Sequence, residues 1–350
     1  MTSDNIKSRK FTKKEQLITI FSLILAGVFL YIAFRGVDVA KVFSSMMNVS
    51  ISWLILLIVF QMLSHYFRAL RWKVVIGEIK SDVSVNVLMG SLLIGYALNG
   101  VIPRLGELSR AVIVGKISKV SRTATFGTIV IERVIDLFFF AGSIILAAVL
   151  YDGDIYREFP WLKTSIYVGA VAFIIAVIAF VFSIRYEQVF TRHLRKIVSL
   201  FSAKLADRAV DMFSKVNTGL GSLSGVGNYL IMIAYSVLIM LFYALTAYAG
   251  FQALGIGTNL TVTDAFVVMA ISSIGVMIPT PGGIGSYHTL AKSVLVSLYA
   301  LTAEQGIIYA TFVHGVTYLL HIIVAVGYFF YFKFTDSQLT SNSLLSSESE

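Results

Sequence analysis

Six runs of apolar residues, at about 17–34, 51–70, 124–150, 165–184, 228–254 and 305–332, dominate the chain. A bilayer core about 30 Å thick takes roughly 20 such residues as a helix, so each run is a candidate span. Inside lipid every backbone polar group needs a partner within the protein, which leaves helices or closed barrels. Runs of this length are helical. Two further apolar regions, 83–116 and 263–300, are interrupted, one by Asn99-Gly100-Val101-Ile102-Pro103-Arg104-Leu105-Gly106-Glu107 and the other by Gly275-Val276-Met277-Ile278-Pro279-Thr280-Pro281-Gly282-Gly283. Each carries an Ile-Pro-x-x-Gly breaker, and three of the four prolines lie in them. Proline cannot donate and breaks a helix, so these regions are expected to be two broken hairpins.

Composition agrees with that assignment. Hydrophobic residues make up 57% of the 350 and charged residues 13%, with a mean hydropathy of +0.83, whereas soluble chains carry about 25% charged residues. The expected fold is an all-α polytopic membrane protein with about six full spans and two re-entrant hairpins. With no cysteine, disulfides, thiolate metal sites and cysteine nucleophiles are excluded. The net charge of +9 belongs to membrane topology before it belongs to any nucleic-acid partner.

The positive-inside rule favours hairpins that enter and return on one side. With a cytoplasmic N-terminus and re-entrant hairpins, about 22 of the 28 Lys and Arg residues face the cytoplasm and about four the exterior, leaving Arg133 and Lys292 at membrane depth. A full crossing at 83–102 would instead carry Lys116, Lys119 and Arg122 outside. The expected organisation is a basic cytoplasmic N-terminus at 1–16, a transmembrane domain at 17–334, and a Ser- and Glu-rich disordered tail at 335–350. The N-terminus resembles a signal peptide, but no small-x-small cleavage site follows the first run. Both termini then lie on the cytoplasmic side of the inner membrane. Within the domain, span-span-hairpin-span at 17–150 is repeated at 165–332, with Pro103 and Pro279 in register. Three crossings per unit make the second unit inverted, a plan shared with secondary transporters. The segment 186–224 is either an amphipathic helix drawn to anionic headgroups or a plain basic loop helix.

Ionisable side chains at membrane depth are functional candidates. Pro103, Arg104, Glu107 and Arg110 form the first tip, where a returning half-helix near Gly106 would offer free N–H groups to a phosphate or carboxylate. The alternative is an ordinary loop in which Glu107 pairs with Arg110. Glu132, Arg133 and Asp136 sit in the 124–150 span, with the two carboxylates on one face. They are candidates to bind an amine or carry protons, or else to form a buried ion-pair network with Arg104 or Arg110. The second tip, Pro279, Pro281, Gly282, Gly283, Gly285 and His288, offers backbone to a ligand, with Ser286 as a cap for the next half-helix; its glycines equally suit tight helix packing. His314 and His321 share a face, but no carboxylate cluster completes a metal site, and a packing role is expected for them and for His65. Arg68, Arg71 and Trp72 end the second span like an interfacial lipid anchor. No catalytic constellation, metal site or cofactor motif is legible, so the chain is not expected to be an enzyme.

Taken in order, Arg68-Ala69-Leu70-Arg71-Trp72, the Pro-Arg-x-Gly-Glu-x-x-Arg from Pro103 to Arg110, Glu132-Arg133-x-x-Asp136 and Pro279-x-Pro-Gly-Gly-x-Gly resemble the successive motifs of the lysylphosphatidylglycerol synthase transmembrane (flippase-like) family. The resemblance covers about 15–332. It implies a bacterial or archaeal inner-membrane protein that moves a phospholipid or polyprenyl-linked lipid between leaflets. The cytosolic synthase domain of the best-known members has no counterpart in this sequence, so synthase activity is not carried over. Where many members carry Glu after the glycines, this chain has His288. The leading expectation is translocation of an anionic or aminoacylated lipid, with the first tip holding the phosphate and Glu132 and Asp136 an amine or proton. The rival is an accessory subunit presenting a lipid to a separate transferase; a membrane-embedded transferase using Glu132 or Asp136 as base stands behind both.

Overall fold

The computed structural model describes residues 13–102, 105–200, 202–203, 206–207, 210, 213–214 and 226–347. The chain begins with α1 (Lys13–Phe34) and a short α2 (Val39–Ser45), followed by the long α3 (Ile51–Gly77). The first hairpin is α4 (Val85–Val101) and α5 (Leu105–Ile117). Next come α6 (Arg122–Leu150), the single turn α7 (Ile155–Glu158), α8 (Pro160–Arg185) and α9 (Glu187–Ser199). The second half continues with α10 (Val226–Leu254) and a second hairpin, α11 (Val262–Ser272), α12 (Ile274–Met277) and α13 (Ser286–Tyr299), before α14 (Ala303–Ser347). Among the described residues there is no strand. The protein is an all-α polytopic membrane protein.

Local chemistry marks several helix starts. Ser84 and Ser121 cap α4 and α6 by accepting backbone amides, and Thr261 with Asp264 forms a reciprocal capping box on α11. Pro160 occupies the first turn of α8, where its missing N–H costs nothing. Helices α3, α6, α10 and the Ala303–Phe334 part of α14 are apolar and 27 to 32 residues long, about 40 Å or more at 1.5 Å per residue. Apolar side chains also cover the outside: Ile175, Ile323 and Phe330 are each about 60% exposed. A surface of that kind needs lipid against it.

Packing partners are exchanged between the halves. Helix α3 runs against its counterpart α10. The first arm of each hairpin leans on the last span of the other half, α4 on α14 and α11 on α6, while the second arm leans on its own, α5 on α6 and α13 on α14. Two repeats related by a two-fold would give this pattern. Each hairpin is wrapped by its own apolar cluster. Leu88, Leu92, Leu93, Val114, Ile129 and Trp72 surround the first, and Val267, Val268, Ile271, Val294, Leu295 and Tyr309 the second. Lys292, expected at membrane depth, donates to the carbonyls of Ala33 (2.6 Å) and Ile32 (3.4 Å) and so caps the C-terminus of α1.

The tail expected to be disordered from 335 is instead a continuation of α14 to Ser347. After Gly327 there is neither glycine nor proline to stop the helix, and the polar composition alone does not end it. The expected basic N-terminus lies mostly outside the described residues, as does much of 186–224, of which α9 is the continuous described part.

Candidate functional site

The inner face of α3 is polar. Gln61, Ser64, His65, Arg68, Arg71 and Trp72 follow each other at helical spacing and all are buried. The opposing face of α6 carries Thr125, Thr128 and Glu132, with Asp136 one turn further. Arg110 reaches in from α5. These three helices meet, and α10 closes the group with Ser236 and Tyr243.

Arg110 forks onto Glu132, with Nη1 donating to Oε1 at 3.2 Å and Nη2 to Oε2 at 2.5 Å, the two-pronged geometry a guanidinium favours. Its guanidinium lies 4.0 Å over the Trp72 ring, a cation–π contact in a dry setting. Trp72 in turn donates to Thr128 at 2.9 Å. Arg68 donates to Asp136 at 2.5 Å, to Glu132 at 3.4 Å and to Tyr243 at 3.2 Å. Arg71 donates to Ser236 at 2.9 Å and to Asp136. Arg133, 41% exposed, lies on the rim, 3.4 Å from Asp136, 3.6 Å from Glu132 and 3.8 Å from Glu107.

Among the described residues, four guanidiniums therefore face three carboxylates, a formal surplus of one positive charge. Donors are also in surplus. The buried Nε of each of Arg68, Arg71, Arg110 and Arg133 has no hydrogen-bond partner. Buried donors left unmade are costly, and an acceptor-only anion is the chemistry that fits them.

Several sequence expectations change here. Arg68, Arg71 and Trp72 are not an interfacial anchor. Trp72 is fully buried and the arginines are 5% and 1% exposed, because α3 continues to Gly77 and turns this face toward α6 rather than ending at the interface. Glu132 and Asp136 are not free to hold an amine, since guanidiniums already occupy both; the ion-pair alternative describes them, with Arg68 and Arg71 as additional partners. Glu107 does not pair with Arg110. It accepts from Asn99 at 3.3 Å and faces Arg133. Two of the half-helix amides at the first tip are taken: Gly106 donates to the Asn99 side chain at 2.7 Å and Leu105 to the Ile102 carbonyl at 3.2 Å. Pro103 and Arg104 lie outside the described residues.

Asn99 thus bridges both arms of the hairpin. Asn99→Ala is expected to cost about 1 kcal/mol, the usual value of a lost helix cap, and to leave Glu107, among the described residues, with Arg133 as its partner. Denaturant titration in detergent micelles checks it.

The second tip meets the first. Gly282 (φ 60°), Gly283 (φ 75°) and Gly285 (φ 84°) all adopt backbone that favours glycine, and a Cβ on Gly282 would stand 3.3 Å from the Cα of Gly100. Tyr318 of α14 lies beside both. Pro281 is buried within the turn, and Pro279 is exposed before it. Ser286 does not cap α13; its hydroxyl donates across the hairpin to the Gly275 carbonyl at 2.6 Å. His288 is buried, its ring stacked on His314 at 5.0 Å. The structure therefore joins the tips to each other but places the charge with the first alone.

Sequence reasoning gave no role to Ser236, Tyr243 or Tyr318. The signal was present: Ser236 and Tyr243 are polar positions seven apart in an apolar run, on one helix face.

A family profile described as Lysylphosphatidylglycerol synthase TM region matches residues 19–325. Among curated proteins, a UPF0104 membrane protein of Methanocaldococcus jannaschii is 27% identical over 175 residues, 49% of this chain and 51% of the relative. A second UPF0104 membrane protein, from Methanothermobacter thermautotrophicus, is 28% identical over 228 residues, 62% of this chain and 67% of the relative. The matches thus span about half and two thirds of those relatives' lengths. No solved structure matches the chain.

Proposed function

The chain belongs to the lysylphosphatidylglycerol synthase TM region family, and from that premise we propose that it is a lipid translocator rather than an enzyme. Its cargo is a lipid with an anionic headgroup, an aminoacylated or polyprenyl-linked lipid included, moved across the cytoplasmic membrane. Both termini are placed in the cytoplasm, on the distribution of Lys and Arg. One observation carries the reading: a group of four arginines and three carboxylates, buried except at its Arg133 and Glu107 rim, with unpartnered guanidinium donors, inside a membrane domain. Intramembrane charge with spare donors suits a phosphate whose tails stay in the bilayer.

The rim is where a headgroup enters. Arg133 and Glu107 are the network's more exposed members, while Arg71, Arg110 and Glu132 are sealed behind them. Arg133 holds the phosphate, and the inner arginines set the positive field that draws it in.

The test uses the purified protein in liposomes of phosphatidylcholine with acyl-labelled fluorescent phosphatidylglycerol. Wild type is expected to move the probe between leaflets. Arg133→Gln is expected to slow it by about 10- to 100-fold, the value of one charge-assisted hydrogen bond, with folding retained because the residue lies on the rim. An unchanged rate in Arg133→Gln would remove Arg133 from the site. Failure of wild type to move any anionic probe, together with a co-purifying transferase, would establish the accessory-subunit reading instead.

A further inference from the structure

Four of the chain's five histidines lie on α3, α13 and α14, and they form two ring pairs. His288 stacks on His314 near the second tip. His65 and His321 meet Nε2 to Nε2 at 2.8 Å, bridging α3 and α14. Gln61 fixes the His65 ring from one turn away, 2.9 Å from the same nitrogen, and the Tyr96 ring of α4 packs on both imidazoles, at 5.1 Å and 5.2 Å. His314 and His321 are seven residues apart on one face of α14, about 10 Å along the helix. The rings therefore run in file from the second tip towards the arginine network.

The Nδ1 atoms of His65 and His314 are buried and have no hydrogen-bond partner. Packing alone does not call for that. Among the described residues, no group of three or more His, Cys, Asp or Glu is placed to hold a metal ion. A pair of imidazoles joined through Nε2, with a ring nitrogen left bare, is suited to a proton.

We propose that the His65–His321 pair is a proton-binding site and that its proton is the coupling ion of the translocation cycle. The proposal rests on the translocator reading above and supplies its energy source. The Gln61 amide nitrogen donates to His65 Nε2, so that nitrogen accepts and His321 donates its Nε2 hydrogen to it. His321 takes up a proton at Nδ1, its Nε2 hydrogen passes to His65 as the Gln61 amide turns its oxygen to the pair, and His65 releases its own proton from Nδ1. One proton enters and one leaves, and the pair is restored with its tautomers exchanged.

The coupling partner is Arg68, one turn from His65 on α3. It is the charged group facing the pair from that helix; Tyr96 faces it from α4 and His314 from α14. Behind Arg68 stand Glu132 and Asp136 of α6 and Tyr243 of α10. A positive charge arriving on the pair repels Arg68 and loosens its hold on the carboxylates. An anionic headgroup at the arginines offsets the same charge, so proton and anion load together. Such linkage is reciprocal, each ligand changing the other's affinity by one common factor.

The experiment uses the same liposomes, with a trapped pH dye and an imposed pH gradient of either sign. Wild-type movement of acyl-labelled phosphatidylglycerol is expected to differ about tenfold between the two gradient directions, a usual size for coupling between sites, and to carry dye-detected protons with it. His65→Gln combined with His321→Gln is expected to keep slow movement and lose the gradient response. Movement in wild type that ignores the gradient, or a gradient response surviving in the double variant, overturns the proton site and leaves the translocator standing. No movement of the probe under any gradient overturns both. If the double variant does not fold, nitrogen spectra of histidine-labelled wild type decide the assignment: two imidazoles must change protonation together, and independent titration overturns the shared site.

Discussion

Glu132→Gln is expected to lower the stability of the protein by about 3–5 kcal/mol, the cost of removing one partner from a buried ion pair. Glu132 is 1% exposed and accepts from Arg110 through both carboxylate oxygens and from Arg68 at 3.4 Å. A glutamine fills the same space but carries no charge and presents two donors to guanidiniums that have only donors themselves. Arg110 then remains buried with its carboxylate partner gone, while Arg68 and Arg71 keep Asp136. The loss is thus one of charge rather than of volume, and a second substitution separates the two. Arg110→Met with Glu132→Leu removes the pair together, and such replacements are often neutral in stability. The double variant is expected to recover most of the loss, apart from the Trp72 cation–π contact of about 1 kcal/mol, yet to move lipid no better than Glu132→Gln. Denaturant midpoints in micelles and probe movement in liposomes read the two properties separately. Recovery of both in the double variant would make the network a packing device.

How far the sequence led to this network depends on what each signal measures. Hydropathy counts lipid-facing residues, so the long spans now seen as α3, α6, α10 and α14 and the two interrupted regions were legible, while the hairpin shape of those regions is set by α4 packing on α5 and α11 on α13. Prolines and glycines located the tips because a broken helix needs them. What could not be read was partnership. Arg68 and Arg71 look the same in sequence whether they snorkel to an interface or fork onto Asp136; the choice is made by where α6 and α10 pack, which no local pattern records. For the same reason Glu132 and Asp136 were candidates for an amine until the guanidiniums on α3 and α5 were seen to fill them. Asn99 was visible only as part of a motif, although its side chain ties Gly106 to Glu107 across the hairpin. Helical spacing held the missing information in one respect: Gln61, His65, Arg68 and Trp72 share a face with Ser64 and Arg71, and a polar stripe that long at membrane depth points inward rather than to lipid.

The second hairpin depends on glycine as strongly as the first depends on charge, and Gly285→Ala is expected to cost about 2–6 kcal/mol. Two effects add. At φ 84° and ψ −56° the backbone lies where an L side chain is strained, worth about 1–3 kcal/mol. A Cβ there would also stand 2.7 Å from the Ala26 carbonyl oxygen and from the Leu30 amide nitrogen, both main-chain atoms of α1, and crowding of that kind costs typically about 1–3 kcal/mol. Rotation of a side chain cannot relieve either, so α1 has to move away. With it go the Thr289 bond to the Phe29 carbonyl and the Lys292 cap on Ala33, which fasten α13 to α1 one and two turns beyond that contact. Gly315→Ala supplies the comparison, because a Cβ at Gly315 meets open space in the middle of α14, and it is expected to be neutral or to stabilise by about 0.4–1 kcal/mol. Unfolding midpoints of the two variants in detergent check the difference. Equal midpoints would mean that α1 does not hold the second hairpin in place, and the contact between the Gly282 tip and Gly100 would then have to be maintained by Tyr318 and α14 alone.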